Sequence, residues 1–169
     1  MAADYDVVYG GHGSGKSTHS ASIIDTQRSF KLGVGSRLLM FLILRFNTIN
    51  RHEQDNRRMN LRFKSTNIKN IVKDIEKVRE PVLLIDDWTT FFLYTFFWSA
   101  EEIITKANEI FTAIDNNPNI KRVVFICLNH IQFLPLSLYK KKALWNKLVF
   151  KRAKTITKIE FGIPVVIKK

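Results

Sequence analysis

A chain of 169 residues holds about one domain of ordinary size, and its 46% hydrophobic content is enough to bury a core and excludes a disordered chain. One cysteine, Cys127, excludes an internal disulfide and fits a reducing, cytoplasmic setting. The net charge of +12 suits an anionic partner (nucleic acid, nucleotide or membrane surface), but basic residues spread from Arg28 to Lys169 favour a solvated lysine-rich surface, with nucleic acid as the lesser reading.

The opening MAADYDVV lacks the basic-then-apolar layout of a signal peptide. Tyr5–Tyr9 (YDVVY) predicts a short β-branched strand, a glycine loop follows it, and Lys16 to about Arg28 predicts a helix. KLGVGS is read as a glycine-marked turn. Arg37–Leu44 contains LLMFLIL and is read as a buried central strand. Asn47–Asn60 is polar with no clean period. Within Asn67–Val78, Ile68, Ile71, Val72 and Ile75 recur at helical spacing.

Pro81 opens PVLLIDD, a buried strand ending in acid. FFLYTFFW (Phe91–Trp98) is read as an apolar loop or helix against the core or a partner subunit. Like LLMFLIL, it is far shorter than the ~20 residues of a spanning helix, so no membrane span is expected. Ser99 and Glu102 form a capping box, and Ile103, Ile104, Ala107, Ile110, Phe111 and Ile114 give the following helix one apolar face. Asn116–Asn119 ends it. Arg122–Leu128 (RVVFICL) is a buried strand, Leu138–Ala153 a basic amphipathic helix, and Thr155–Phe161 and Val165–Lys168 a closing strand pair around Gly162-Ile163-Pro164.

Alternating strands and helices with near-continuous apolar strands predict an α/β fold, one mostly parallel sheet with helices on both faces. The phosphate loop within it makes the expected class a P-loop NTPase, RecA-like, in a single domain over residues 1–169.

Gly10-Gly11-His12-Gly13-Ser14-Gly15-Lys16-Ser17 fits the phosphate-loop pattern at every fixed position. Glycines let the backbone curl so that successive N–H groups face a phosphate. Gly10, Gly11, His12, Gly13, Ser14, Gly15 and Thr18 are therefore nucleotide-binding candidates, with His12 and Ser14 contributing through their backbone. Lys16 reaches the β- and γ-phosphates and the Ser17 hydroxyl ligates Mg²⁺. The partner acid should follow a buried strand, and Asp86 does so; it holds the metal through water or polarises a nucleophile. Asp87 is the weaker candidate. His19 is assigned a solvated or packing role.

Four features then bear on the family: Gly10-Gly11 with Ser14-Gly15-Lys16-Ser17; Asp86-Asp87-Trp88-Thr89-Thr90-Phe91; VVFICLNH followed by Leu134-Pro135; and Trp145-Asn146 with Gly162-Ile163-Pro164 beginning sixteen residues after Asn146. Together they resemble the adenosylcobinamide kinase / adenosylcobinamide-phosphate guanylyltransferase family of cobalamin biosynthesis, over nearly the whole chain. The resemblance implies phosphorylation of a corrinoid alcohol by ATP or GTP, then GMP transfer from GTP through a covalent histidine. It implies His52, in Ile49-Asn50-Arg51-His52, as that nucleophile, with Arg57 and Arg58 beside the triphosphate. It also implies a homotrimer, for which Phe91–Trp98 would suit an interface and a packed core helix is the equal alternative. The glutamate that the family carries after its histidine is absent here. Two alternatives stay open: a P-loop ATPase that binds nucleic acid or a protein partner, and a nucleotide-binding relative that has lost guanylyl transfer.

Overall fold

The computed structural model describes residues 3–11, 13–34, 61–86, 95, 97–128 and 136–169. In chain order the elements are β1 (Asp4–Gly10), α1 (Lys16–Ser22), a 3-10 turn (Thr26–Arg28), β2 (Ser29–Val34), β3 (Arg62–Thr66), α2 (Ile71–Glu76), β4 (Val82–Asp86), α3 (Ala100–Asn116), β5 (Arg122–Leu128), α4 (Leu136–Arg152), β6 (Thr155–Glu160) and β7 (Ile163–Lys168).

Among the described residues the strands form one seven-stranded sheet in the order β3-β2-β4-β5-β1-β6-β7. All neighbours are parallel except β6 and β7, which pair antiparallel. The expected mostly parallel sheet with a closing strand pair is therefore the observed one. β5 lies between β1 and β4, so the strand that leads into the glycine loop and the strand that ends in Asp86 share a neighbour rather than each other. Parallel pairing brings their carboxyl ends to one rim, where open α/β sheets bind ligands.

Strand alternation sends successive side chains to opposite faces. Val7, Leu83, Ile85, Val123, Phe125 and Cys127 face a large core completed by α2, α3 and α4. Val8, Leu84, Val124 and Ile126 face a smaller one, against which Ile23 and Ile24 pack just after α1. Burial on both faces is why these strands read as continuous apolar runs. The larger core centres on aromatic contacts: Phe111 and Trp145 stack with centroids 6.2 Å apart, and Phe125 meets Trp145 edge-on at 6.5 Å. Among the described residues, no helix is long and apolar enough to cross a membrane.

Several elements differ from the expectation. α1 stops at Ser22 instead of running to about Arg28. There the chain turns Ile23 and Ile24 onto the sheet, and the Asp25 carboxylate accepts from the Gln27 N–H to start the 3-10 turn. KLGVGS is not a turn through Val34: Lys31–Val34 lies inside β2, with Lys31–Gly33 paired to both β3 and β4 and Val34 to β3. Gly33 serves close packing, because a Cβ there would stand 2.7 Å from the Phe63 ring. β3 was not anticipated; at the edge of the sheet formed by the described residues, it buries only Thr66 and carries no apolar run. The helix within Asn67–Val78 is short, since the Asn67 side chain accepts from the N–H groups of Lys69 and Asn70 and makes a turn before it.

The capping box at Ser99 is present and α3 ends at Asn116, but Ile104 is 37% exposed and off the buried face, where Ala113 is found instead. The Asn117 side chain donates to the carbonyls of Ile75 and Val78, which joins the end of α3 to the end of α2. The expected strand at Arg37–Leu44 and the polar stretch Asn47–Asn60 lie outside the described residues. So does most of Phe91–Trp98, of which Thr95 is buried, Phe97 exposed and Trp98 packed against the core.

Candidate functional site

The glycine loop joins the carboxyl end of β1 to α1. Gly13 and Gly15 take positive φ angles of 69° and 90°, a region open to glycine at little cost. Gly15 is the N-cap of α1. A Cβ on Gly10 would stand 2.5 Å from the Ile159 carbonyl oxygen and 2.7 Å from Ser14 Oγ, so only glycine lets β1 enter the loop beside β6. The Ser14 N–H donates to the Gly11 carbonyl at 3.3 Å, which closes the curl. Ser14 Oγ is buried with no partner among the described residues.

Lys16 opens α1 and folds back over the loop, its ammonium donating to the Gly11 carbonyl at 2.5 Å. Burial lowers its pKa, while the charges of Asp86 and then Cys127 pull the other way. Ser17 follows, and its hydroxyl donates to Asp86 Oδ2 at 3.3 Å. Sixty-nine residues thus separate two groups that the sheet brings within hydrogen-bond reach. Thr18 is exposed on α1.

Asp86 ends β4 and is 7% exposed. Sequence reasoning missed its buried ion-pair partner among the described residues. Lys31, on the adjacent strand β2, places Nζ 2.7 Å from Asp86 Oδ2 and is itself 2% exposed. The signal was available: a lysine between Phe30 and Leu32 in a buried strand needs a counter-ion. It was hidden by taking Gly33 as a turn marker. Cys127, near the end of β5, stands beside this group. Burial first, and the Asp86 charge second, push its thiol up to about 12, which makes it a packing residue and not a nucleophile.

The structure thus assembles Gly10, Gly11, Gly13, Ser14, Gly15, Lys16, Ser17 and Thr18 in one loop and brings Asp86 to it. His12, Asp87, His52, Arg57 and Arg58 lie outside the described residues. A groove of about 620 Å³ between α2 and α3, lined by Val72, Thr105, Asn108 and Asn117 among others, shares no residue with the loop.

No cluster of three or more His, Cys, Asp or Glu side chains able to hold a metal ion occurs among the described residues. Ser17 Oγ and Asp86 offer two neighbouring oxygens, and Mg²⁺ characteristically takes one or two protein oxygens together with water and substrate phosphates. The donor set therefore fits a Mg²⁺ that arrives with a nucleotide.

A β-strand, a phosphate-loop sequence, a helix and a strand-end acid one strand removed make the fold that of a P-loop NTPase with RecA-like strand order. No protein-family model matches the sequence, and no curated protein matches it significantly. Among solved structures, a Pyrococcus horikoshii OT3 protein, solved as a structural-study target, matches over 100% of this chain and 88% of its own, with a TM-score of 0.56 at 9% identity. The P4 protein of bacteriophage phi6, solved with ADP, matches over 96% of this chain and 52% of its own, with a TM-score of 0.45 at 13% identity. This chain spans about half the length of that phage protein. At such identity the Pyrococcus likeness is one of fold alone.

Proposed function

We propose that this chain binds a nucleoside triphosphate with Mg²⁺ at the Gly10–Ser17 loop and transfers a phosphoryl group from it. The observation that carries this reading is the meeting of Lys16 and Ser17, at the start of α1, with Asp86 at the end of β4. The loop N–H groups and the Lys16 ammonium would hold the β- and γ-phosphates, and the Ser17 hydroxyl would ligate the metal. Asp86 would hold the metal through water. Bound Mg²⁺ would supply charge neutralisation to the transferring phosphoryl group. Lys16 leaves its Gly11 carbonyl partner for the phosphates, exchanging a neutral acceptor for a charged one.

The acceptor we propose is the hydroxyl of a corrinoid, adenosylcobinamide, with GTP then giving GMP to the phosphate through His52, assisted by Arg57 and Arg58. Support for this finer reading comes from the sequence resemblance. One structural fact goes with it: Gly162, of the Gly162-Ile163-Pro164 ending, lies against the loop, its Cα 3.8 Å from where a Gly15 Cβ would stand. GTP as donor, a homotrimer and a cytoplasmic setting belong to the same proposal.

Two experiments test it. Titration calorimetry with Mg²⁺ and ATP or GTP should show binding that Lys16→Ala abolishes. Intact-protein mass spectrometry after incubation with Mg²⁺ and GTP should show a GMP adduct that is acid-labile, base-stable and lost in His52→Ala. Nucleotide binding with no adduct under any condition would reject guanylyl transfer and leave the binding site standing.

A further inference from the structure

We infer that Phe161 is the platform on which the base of the bound nucleotide stacks; this rests on the phosphate-loop reading above. β6 and β7 are joined by two residues, Phe161 and Gly162, with Glu160 paired to Ile163 across the turn. Both central residues take positive φ, 50° for Phe161 and 80° for Gly162, which is the pattern of a type I′ turn. Asn-Gly suits that turn, because asparagine tolerates the left-handed region and a bulky residue does so only at a cost. Phe161 is the one non-glycine residue with positive φ among those described. It is also 99% exposed, so no packing among the described residues accounts for an aromatic there. A strained residue on which no described part of the chain packs points to a ligand.

Its position says which ligand. β6 lies beside β1, with Gly10 in register with Ile159, so the turn after β6 and the loop after β1 share the carboxyl rim. Gly162 Cα comes within 3.8 Å of the Cβ position of Gly15, which puts the turn at the loop's edge. Asp86 lies on the other side of β1, two strands away. The terminal phosphate and its metal belong at the Lys16–Ser17–Asp86 end. The nucleoside therefore leaves the loop on the opposite side, toward β6 and β7, where Phe161 presents an open ring. An aromatic face accepts any base, because every base has a π-face. The platform thus adds affinity for nucleosides over bare polyphosphate without selecting between ATP and GTP.

The test compares ATP and GTP with inorganic tripolyphosphate, each with Mg²⁺, by calorimetry on the full chain. Phe161→Asn is the informative variant, since Asn-Gly favours the same turn and removes only the ring. The expected result is a nucleotide affinity lowered roughly 5- to 100-fold, with tripolyphosphate binding unchanged and the urea midpoint equal or higher. Phe161→Trp should keep nucleotide affinity and add fluorescence quenching by ATP that tripolyphosphate does not cause. Equal nucleotide affinity in Phe161→Asn and the parent chain would overturn the platform alone. A parent chain that binds neither ATP nor tripolyphosphate would overturn the phosphate-loop reading and this inference with it.

Discussion

Lys31 Nζ lies 2.7 Å from Asp86 Oδ2, and both side chains are buried at the carboxyl rim of the sheet. The Ser17 hydroxyl donates to the same oxygen at 3.3 Å. Removing one member of a buried ion pair leaves an uncompensated charge, whereas removing both can be nearly neutral. Lys31→Met should therefore lower stability by about 3 kcal/mol, and adding Asp86→Asn should recover part of the loss. A urea double-mutant cycle measures this, and purely additive losses would mean the pair is not coupled.

Lys16, unlike Lys31, forms no ion pair among the described residues, although the Asp86 charge reaches it. Its ammonium is buried against a backbone carbonyl, and burial lowers its pKa. Lys16→Ala should change the urea midpoint little, by about 1 kcal/mol or less in either direction, while triphosphate binding disappears. A folded, thermally sound variant that still binds ATP would remove this lysine from the site.

The glycines of the loop should respond unequally to alanine. At Gly10 the new methyl meets the Ile159 backbone oxygen at 2.5 Å, and β1 and β6 cannot separate without losing their ladder. Gly10→Ala should cost about 2 kcal/mol. A Cβ on Gly11 meets nothing within 4 Å, so Gly11→Ala should stay within about 0.5 kcal/mol. Chemical denaturation of the two variants side by side settles the contrast.

Asp74 couples α2 to β3, accepting from Lys64 Nζ at 2.6 Å and from Thr66 Oγ1 at 2.5 Å. Burial raises its pKa, but those two hydrogen bonds and the Lys64 charge outweigh it and leave the carboxyl below its ordinary value. A folded-state pKa below the unfolded one means the stabilisation is full above the unfolded value. It is lost as pH falls through the folded one. Asp74→Asn should cost about 2 kcal/mol at neutral pH and flatten the acid side of the stability profile, read by urea midpoints at successive pH values.

Ser99 and Glu102 satisfy each other's backbone N–H groups at the start of α3. The site is exposed, so its contribution is that of a cap and little else. Ser99→Ala should cost about 1 kcal/mol without altering nucleotide binding.

The elements legible in the sequence were those whose signal is local. The phosphate-loop pattern, the apolar run ending at Asp86, the RVVFICL strand and the Ser99 capping box each state their structure within a few residues. What escaped was decided by distant partners. Gly33 looks like a turn residue until the Phe63 ring is placed against it. Lys31 looks like the first residue of a turn until β4 brings Asp86 beside it. β3 has no apolar alternation because an edge strand with one buried residue needs none. Phe161 shows the same limit in the candidate site: its strain and its nearness to the loop exist only once β6 has been laid beside β1.

β1 is hydrogen-bonded along both of its edges, to β5 and to β6, and is covered on both faces. Its amides should be among the slowest in the chain to exchange with deuterium, opening only with global unfolding, whereas the outer edge of β7 should exchange early. The phosphate loop is attached to that last-to-open strand. A bound nucleotide can therefore slow exchange in the loop and in the β6–β7 turn without the β1 amides registering it, so protection gained there reports on ligand contact and not on tightening of the whole molecule.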